Sequence, residues 1–251
     1  MSGSGRWLRR HPVEGPVSSR LVCLPHAGGA AGSFASWAAL LPAGTELIAV
    51  QYPGRQDRIA EQPIEEMGQM ADRLAEALRP LLDVPVHLFG HSMGTGLAYE
   101  VARRLEDADG FVMSHVFVSA RPAPHRIDGE HRHRLDDAEL VAAMRSLGGP
   151  DAAVYDHAGL LPIILPPLRA DLALLDRYRP DALTPLSAPI TVLGGADDHT
   201  CSVEELRSWS EATTAPTRVE VFPGGHHYLR ECETDIVRLV SAELSAAHSL
   251  R

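Results

Sequence analysis

The stretch "LFGHSMGTG" (residues 88–96) places Ser92 at the centre of a Gly-x-Ser-x-Gly pattern, directly after a short apolar run. A nucleophile elbow needs a strand, a sharp turn and a helix, with small residues beside the serine because the turn brings backbones close together. The apolar run supplies the strand, Gly90 and Gly94 are the small neighbours, and residues 93–105 have the apolar spacing of a helix. The same pentapeptide also fits an ordinary serine in a glycine-rich loop. The rest of the chain therefore has to decide between a nucleophile and a structural serine.

Strands and helices alternate on both sides of this motif. Apolar residues recur at steps of three and four from Ile64 to Leu81, which predicts an amphipathic crossover helix. Such alternation indicates an α/β fold with a mostly parallel sheet flanked by helices. The predicted strands, each a short apolar run rich in β-branched residues, are 20–24, 46–52, 86–90, 115–120, 190–195 and 218–222.

Two parts of the chain depart from the alternation. Residues 1–19 are rich in Gly, Ser, Pro and Arg, which predicts a flexible N-terminal arm ahead of one domain over 20–251. From about 122 to 180 only two helical pieces are predicted, at 136–147 and 159–178, and we expect this insertion to form a helical lid. Its apolar side chains suit the lining of an acyl-chain pocket, or simply the packing of the lid onto the core. They are Leu140, Val141, Met144, Leu160, Leu161, Ile163, Ile164 and Leu165.

Composition narrows the class of protein. The chain has 251 residues with 45% hydrophobic content, enough for one large domain. A formal net charge of −10 disfavours nucleic acid and anionic membranes as partners. The apolar runs fall short of the roughly 18 residues that a membrane span needs. Three cysteines without metal-type spacing, and no signal segment at the start, predict a cytoplasmic protein without metal or cofactor, and we expect a monomer.

Residues that could activate Ser92 follow it in the chain. A serine hydroxyl needs a histidine to take its proton and a carboxylate to orient that histidine, and α/β-hydrolases carry them in the order Ser, Asp or Glu, His. "LGGADDHT" places Asp197 and Asp198 after one predicted strand, and "FPGGHHYL" places His226 after the last. Both positions lie at carboxyl ends of strands, where open α/β sheets bind ligands. Each piece alone also fits a solvated turn or a structural histidine, but together they predict a catalytic triad.

An oxyanion hole requires two backbone amides. One comes from the residue after the nucleophile, Met93, and the other from a loop that follows an early strand. "LPHAGGAAGSF" offers this loop, with Ala27 placed to contribute the amide and Gly28 able to adopt backbone turns that other residues resist. The same residues also fit a tight turn before a helix, without a role in an oxyanion hole. His26 precedes the serine, and we expect it to shape the loop rather than to act as the base.

The motifs together, from about residue 20 to 240, resemble those of the type II thioesterases that accompany polyketide synthases and nonribosomal peptide synthetases. The resemblance implies an α/β-hydrolase fold with a helical lid. It also implies hydrolysis of stalled or aberrant acyl groups from the phosphopantetheine arms of acyl or peptidyl carrier protein domains. The motifs are "LPHAGGAAGSF", "QYPGRQDR", "FGHSMG", "VFVSARPAP", "LPPLRADLALLDRY", "APITVLGGADD" and "FPGGHHYL".

Carried onto this sequence, the resemblance makes Ser92 the nucleophile and His226 the base. The family sets its carboxylate three residues after a glycine, which from Gly195 gives Asp198 and leaves Asp197 as the alternative acid. Family members typically have an aromatic residue after the catalytic histidine, whereas His227 stands here. This departure concerns the wall of the pocket rather than the base.

A basic segment, residues 121–134, carries four arginines against Asp128 and Glu130. Because carrier proteins are generally acidic, we expect this segment to be a docking surface. Its histidines fit a solvated loop better than a zinc site, since the sequence offers no cysteine or acidic partner at metal spacing. Two other functions stay open: a general acyl-CoA thioesterase or carboxylesterase, and a non-catalytic binding protein on the same fold.

Overall fold

One sheet of seven strands lies at the centre of the computed structural model, which describes residues 3–127, 129, 131–148, 152–180 and 182–249. In chain order the strands are β1 (Leu8–Arg10), β2 (Ser19–Leu24), β3 (Thr45–Val50), β4 (Val86–His91), β5 (His115–Ser119), β6 (Ile190–Gly195) and β7 (Thr217–Phe222). Their order across the sheet is β1-β3-β2-β4-β5-β6-β7. β1 pairs antiparallel with β3, and the other neighbouring strands pair parallel. The predicted α/β fold is confirmed.

All six predicted strands are present, with ends within two residues of the prediction. The flexible arm predicted for residues 1–19 is wrong for its middle, because residues 8–10 form the edge strand β1. Leu8 is buried there, and Arg10 forms an ion pair with Glu46 of β3. A three-residue strand with one apolar side chain has no periodicity to detect. Its stability comes from pairing with a strand some 40 residues away in sequence.

Helices cover both faces of the sheet. They are α1 (Met67–Leu78), α2 (Met93–Asp109), α3 (Asp137–Ser146), α4 (Leu161–Arg177), α5 (Val203–Leu206) and α6 (Glu233–Ser249). α1 and α2 pack with alternate strand residues such as Val22 and Leu88 on one face. On the other face α6 and the 3-10 segment Ala31–Ala39 pack with the intervening residues, such as Leu21 and Phe89. Because side chains alternate between the two faces along each strand, every central strand contributes to both apolar layers.

The insertion predicted to be a lid contributes α3 and α4, and its described residues contain no strand. These helices share a third apolar cluster, which includes Leu140 and Leu168 and against which Ala27 packs. Leu160 and Ile163, at the start of α4, remain exposed at 39% and 47%. Part of the predicted lining therefore packs the insertion onto the core, and part faces solvent.

α4 contains two consecutive prolines, Pro166 and Pro167, inside the helix. Proline has no amide hydrogen, so the carbonyls of Pro162 and Ile163, one turn earlier, lose their ordinary helical donors. The helix nevertheless continues to Arg177, and its second half is buried, with Asp171 fully shielded from solvent.

Within the described residues, no helix combines the length and the apolar composition required to cross a membrane.

Candidate active site

Ser92 lies at the junction between β4 and α2, in a backbone conformation that residues other than glycine rarely adopt. Its φ is 52° and its ψ is −113°. The Ser92 amide donates to the Ser119 carbonyl at 2.8 Å, and Thr95 Oγ1 donates to the carbonyls of Gly90 and Ser119, each at 3.0 Å. β5 and α2 therefore hold the turn that carries Ser92 in a strained geometry, as is common at functional sites.

The two glycines of the motif are required by close approach of backbones. A Cβ on Gly90 would lie 2.3 Å from the Gly94 carbonyl oxygen, and a Cβ on Gly94 would lie 2.0 Å from the Leu24 carbonyl oxygen. No side chain fits at these distances. The turn therefore packs directly against the end of β2, where the loop of residues 25–29 begins.

His226 connects Ser92 to a carboxylate. His226 Nε2 lies 3.0 Å from Ser92 Oγ, and His226 Nδ1 lies 2.9 Å from Asp198 Oδ2. With the Nδ1 hydrogen donated to Asp198, Nε2 carries a free lone pair toward the serine hydroxyl, as a general base requires. The three side chains are buried, with exposures of 7% to 8% for their residues.

Asp197 and Asp198 occupy different environments. Asp197 is exposed and its amide donates to the Gly224 carbonyl, whereas Asp198 is buried against His226. Gly195 brings the two loops together, because a Cβ there would lie 2.4 Å from the Gly224 carbonyl oxygen. The structure thus brings Ser92, His226 and Asp198 together and leaves Asp197 outside the group.

Thr200 is a member of this group that the sequence motifs did not reveal. Its amide and its Oγ1 donate to Asp198 Oδ1 at 2.8 and 2.7 Å, so both oxygens of the carboxylate have partners. Burial raises the pKa of Asp198, but the hydrogen bonds from His226 and Thr200 outweigh it and hold the pKa below its ordinary value. The carboxylate therefore stays ionised at neutral pH. The only sequence signal was a threonine two residues after an aspartate, a pattern typical of any Asx turn.

The amides of loop 25–29 are not equivalent. Gly28 N donates to Asp171 Oδ2 at 2.8 Å, and Gly29 N donates to the His26 carbonyl at 2.9 Å. Within the ranges that the structure describes, the Ala27 and Met93 amides donate to no protein acceptor. Met93 is the first residue of α2. Its amide therefore has no acceptor within the helix and lies at the positive end of the helix dipole. Both amides predicted for the oxyanion hole thus keep a free hydrogen among the contacts of the described residues.

Two cavities meet at this site. The smaller, about 210 Å³, is lined by Ser92 and His226 together with Arg126 and Arg132 of the basic segment. The larger, about 630 Å³, is lined by α4 side chains such as Ile164 and does not include Ser92. The residues that line both cavities, and so lie at their boundary, are His26, Ala27, Met144 and His227.

Three further histidine rings cluster around the group formed by Ser92, His226 and Asp198. The rings of His26 and His227 are in edge contact with centroids 4.8 Å apart, and His91 lies 5.4 Å from His226. Burial, with the charges of neighbouring histidines adding to it, lowers the pKa of His26 to about 3 and that of His227 to about 4. The same causes lower the pKa of His91 well below its ordinary value. The rings of His26, His91 and His227 are therefore neutral at pH 7, and His227 stands where the resemblance led us to expect an aromatic residue.

This cluster predicts the shape of the pH profile. Between pH 5 and 9 we expect neither His26 nor His227 to contribute to the pH dependence of log(kcat/KM). Both rings lose their protons below that range, because burial lowers the pKa of His26 to about 3 and that of His227 to about 4. Steady-state rates across pH 5–9 measure the profile, and H227F should leave its shape unchanged. A profile that changes shape in H227F would show that His227 changes charge within this range.

Two histidines of the basic segment and one aspartate of α4 form a group that could hold a metal ion. The ligand atoms of His131, His133 and Asp176 lie within 4.8 Å of one another, so α4 supplies an acidic partner that the local sequence did not show. Asp176 accepts a hydrogen bond from the His131 amide on one oxygen and pairs with His133 through the other. These contacts satisfy the carboxylate and tie the segment to α4. Asp128 and Glu130 of the same segment lie outside the described residues.

Comparison with known proteins adds a family match. The thioesterase domain family model matches residues 19–244. A probable cadicidin biosynthesis thioesterase from Streptomyces griseus is 42% identical over 91% of this chain, which spans 63% of that relative's length. The gramicidin S biosynthesis protein GrsT of Aneurinibacillus migulanus is 32% identical over 97% of this chain and 96% of its own length. The structure of the type II thioesterase BorB from the borrelidin biosynthetic cluster superposes with a TM-score of 0.88 at 42% identity, covering 95% of this chain and 97% of BorB.

Proposed function

Because the chain belongs to the thioesterase domain family and is a thioester hydrolase, we propose that Ser92 is its nucleophile and His226 its general base. We propose Asp198 as the carboxylate that orients the base. The observation that carries the proposal is the continuous hydrogen-bonded chain from Asp198 through His226 to the Ser92 hydroxyl. Asp197 is exposed, and its amide donates to the Gly224 carbonyl, so we assign it no part in this chain.

The geometry supports a two-step mechanism. Ser92 Oγ attacks the thioester carbonyl carbon while His226 Nε2 takes the hydroxyl proton, and the amides of Ala27 and Met93 stabilise the tetrahedral oxyanion. The carbon–sulfur bond then breaks, leaving an acyl-serine ester. The departing thiolate takes the proton from the His226 imidazolium, so that the free thiol leaves and Nε2 regains its lone pair. A thiol has an ordinary pKa of about 8.5, so its thiolate leaves with less help from an acid than an amine does. His226 next takes a proton from water, and the hydroxide so formed attacks the ester carbonyl carbon. As the bond between the acyl carbon and Ser92 Oγ breaks, His226 returns the proton to Oγ, which releases the carboxylic acid and restores Ser92.

For the substrate we propose acyl groups carried on the phosphopantetheine arms of acyl or peptidyl carrier protein domains, removed when a polyketide or nonribosomal peptide synthase has stalled. Three relatives support this: two named for the biosynthesis of cadicidin and of gramicidin S, and a type II thioesterase from the borrelidin biosynthetic cluster. A monomer suffices, because one chain supplies the nucleophile, the base, the acid and both amides. The net charge of −10 argues against nucleic acid as a partner.

We also propose that residues 20–251 form one α/β-hydrolase domain and that residues 122–180 are its lid. The shared cluster of α3 and α4, which packs against Ala27, supports this arrangement. The larger cavity beside α4 has the size and the apolar side chains to accept an acyl chain.

A comparison of three substrates with the same acyl group tests the proposed function. We expect kcat/KM for the acyl-carrier protein to exceed that for acyl-CoA by about tenfold or more, equal to about 1.4 kcal/mol of additional protein contact. Equal values would favour a general acyl-CoA thioesterase, and faster hydrolysis of a simple ester would favour a carboxylesterase. Covalent labelling of Ser92 by a fluorophosphonate separates each enzyme from a binding protein, which would not be labelled.

The same assay tests the basic segment as the docking surface for the carrier protein. Arg126 is 58% exposed at its side chain and pairs with Glu211, and Arg126 and Arg132 border the cavity of Ser92. We expect R126E with R132E to raise KM for the acyl-carrier protein about tenfold, because opposite charge steers and holds the acidic partner. The matched control is R238E, a reversal at an exposed arginine on α6. A KM equal to that of the control would contradict the docking assignment.

A further inference from the structure

We propose that Arg55 and Asp171 form a positioning pair that holds loop 25–29, so that the Ala27 amide faces the developing oxyanion. The inference rests on the proposed role of Ala27 in the oxyanion hole. Arg55 and Asp171 lie in the "YPGR" and "LRAD" motifs, to which the triad chemistry gives no role.

The two side chains form a buried, two-pronged ion pair. Arg55 Nη1 lies 2.6 Å from Asp171 Oδ2, and Arg55 Nη2 lies 2.8 Å from Asp171 Oδ1. Arg55 is 7% exposed and Asp171 is fully buried. Such parallel contacts fix both the distance and the orientation of the two planar groups.

Both members of the pair also bind the backbone of the loop. Asp171 Oδ2 accepts the Gly28 amide hydrogen at 2.8 Å, and Arg55 Nη1 donates to the Gly29 carbonyl at 3.0 Å. On the other side of Ala27, the Tyr52 hydroxyl donates to the Pro25 carbonyl at 3.1 Å. The loop is therefore held before and after Ala27, whose own amide keeps a free hydrogen within the described part of the chain.

A stability role alone explains this pair poorly. Burying two charges costs desolvation energy, and well-packed apolar residues in place of a buried ion pair are often as stable. An oxyanion donor, in contrast, is effective only when it is fixed in advance toward the position of the negative charge. A rigid charged pair that binds the two residues following Ala27 meets this requirement.

The first test is D171N, which keeps the size of the side chain but removes its charge. We expect kcat on an acyl thioester to fall about 10²-fold, the usual effect of losing one oxyanion-hole donor, while KM changes less than threefold. Affinity for a boronic acid that forms a tetrahedral adduct with Ser92 should fall by a similar factor. R55K, which keeps the charge but loses the two-pronged contact, should give a smaller loss of the same kind.

A matched control separates positioning from stability. Arg20 and Glu46 form another buried ion pair, with side-chain exposures of 6% and 5%, toward the opposite end of β2 from loop 25–29. E46Q should lower the melting temperature as D171N does but leave kcat and boronic acid affinity unchanged. The proposal is overturned if D171N has the same kcat as E46Q. It is also overturned if D171N changes KM and leaves kcat at the wild-type value. Should D171N fail to fold, R55K against E46Q gives the same comparison.

The two proposals can fail separately. Fluorophosphonate labelling of the wild-type protein tests Ser92 irrespective of Asp171. A wild-type enzyme that is labelled and active, beside a D171N variant with unchanged kcat, would overturn the positioning pair alone. An unlabelled, inactive wild-type protein would overturn the proposed function.

Discussion

S92A is expected to lower kcat on an acyl thioester by about 10⁶-fold, because the variant lacks the hydroxyl that we propose forms the acyl-enzyme. Members of a catalytic triad act as a unit, so the loss of the nucleophile alone costs about as much as the loss of all three. Single-turnover hydrolysis of an acyl-carrier thioester, followed by release of the free thiol, measures the effect. KM should change little, because the hydroxyl is a small part of the substrate's contact surface.

The strained backbone of Ser92 supplies an internal control. S92G should be as inactive as S92A, yet more stable by about 1 kcal/mol or more, since glycine adopts a φ of 52° without strain. Thermal unfolding of the two variants measures the difference. Residual turnover within 10³-fold of the wild-type rate, in protein free of wild-type contamination, would move the nucleophile to another residue.

D198N is expected to lower kcat by about 10⁴-fold, because an amide in place of the carboxylate favours the wrong tautomer of His226 and no longer stabilises the imidazolium. D197N, the matched change at the neighbouring exposed aspartate, should stay within about twofold of wild type. Steady-state kinetics of both variants on one substrate make the comparison. A large loss in D197N beside a small loss in D198N would reverse the assignment of the acid.

The contribution of Asp198 to the stability of the folded chain depends on pH. Its pKa is lower in the folded chain than its ordinary value, so the unfolded chain binds more protons as the pH falls toward that value. The stabilisation from Asp198 is therefore present at neutral pH and is lost as the pH falls through the folded pKa. D198N would lack this component of the acid sensitivity.

The sequence predicted what depends on local pattern. Alternating apolar runs marked six of the seven strands, and Gly-x-Ser-x-Gly marked the turn after β4 because the backbones approach too closely for any side chain but hydrogen. β1 was missed because a three-residue strand is defined by its partner rather than by its own residues. The choice between Asp197 and Asp198 came from the spacing of a family motif. The structure gives the physical reason for this spacing. Gly195 contacts the backbone of Gly224, and this contact joins two loops that are distant in sequence.

Properties that arise from packing of distant segments had no sequence signal. The lowered pKa values of His26 and His227 depend on burial beside each other and beside His226, from loops about 200 residues apart. Arg55 and Asp171, separated by 116 positions, could be recognised as motif residues but not as partners. Thr200 became visible only through its contacts with Asp198.

The prolines within α4 separate two ends of the helix that have different contacts. Ile163, before the prolines, lines the larger cavity, whereas Asp171, beyond the prolines, binds Arg55 and the Gly28 amide. One helix thus contributes to both the proposed acyl pocket and the proposed oxyanion hole. A substitution at its first turn would change the wall of the pocket and leave the contacts of Asp171 in place.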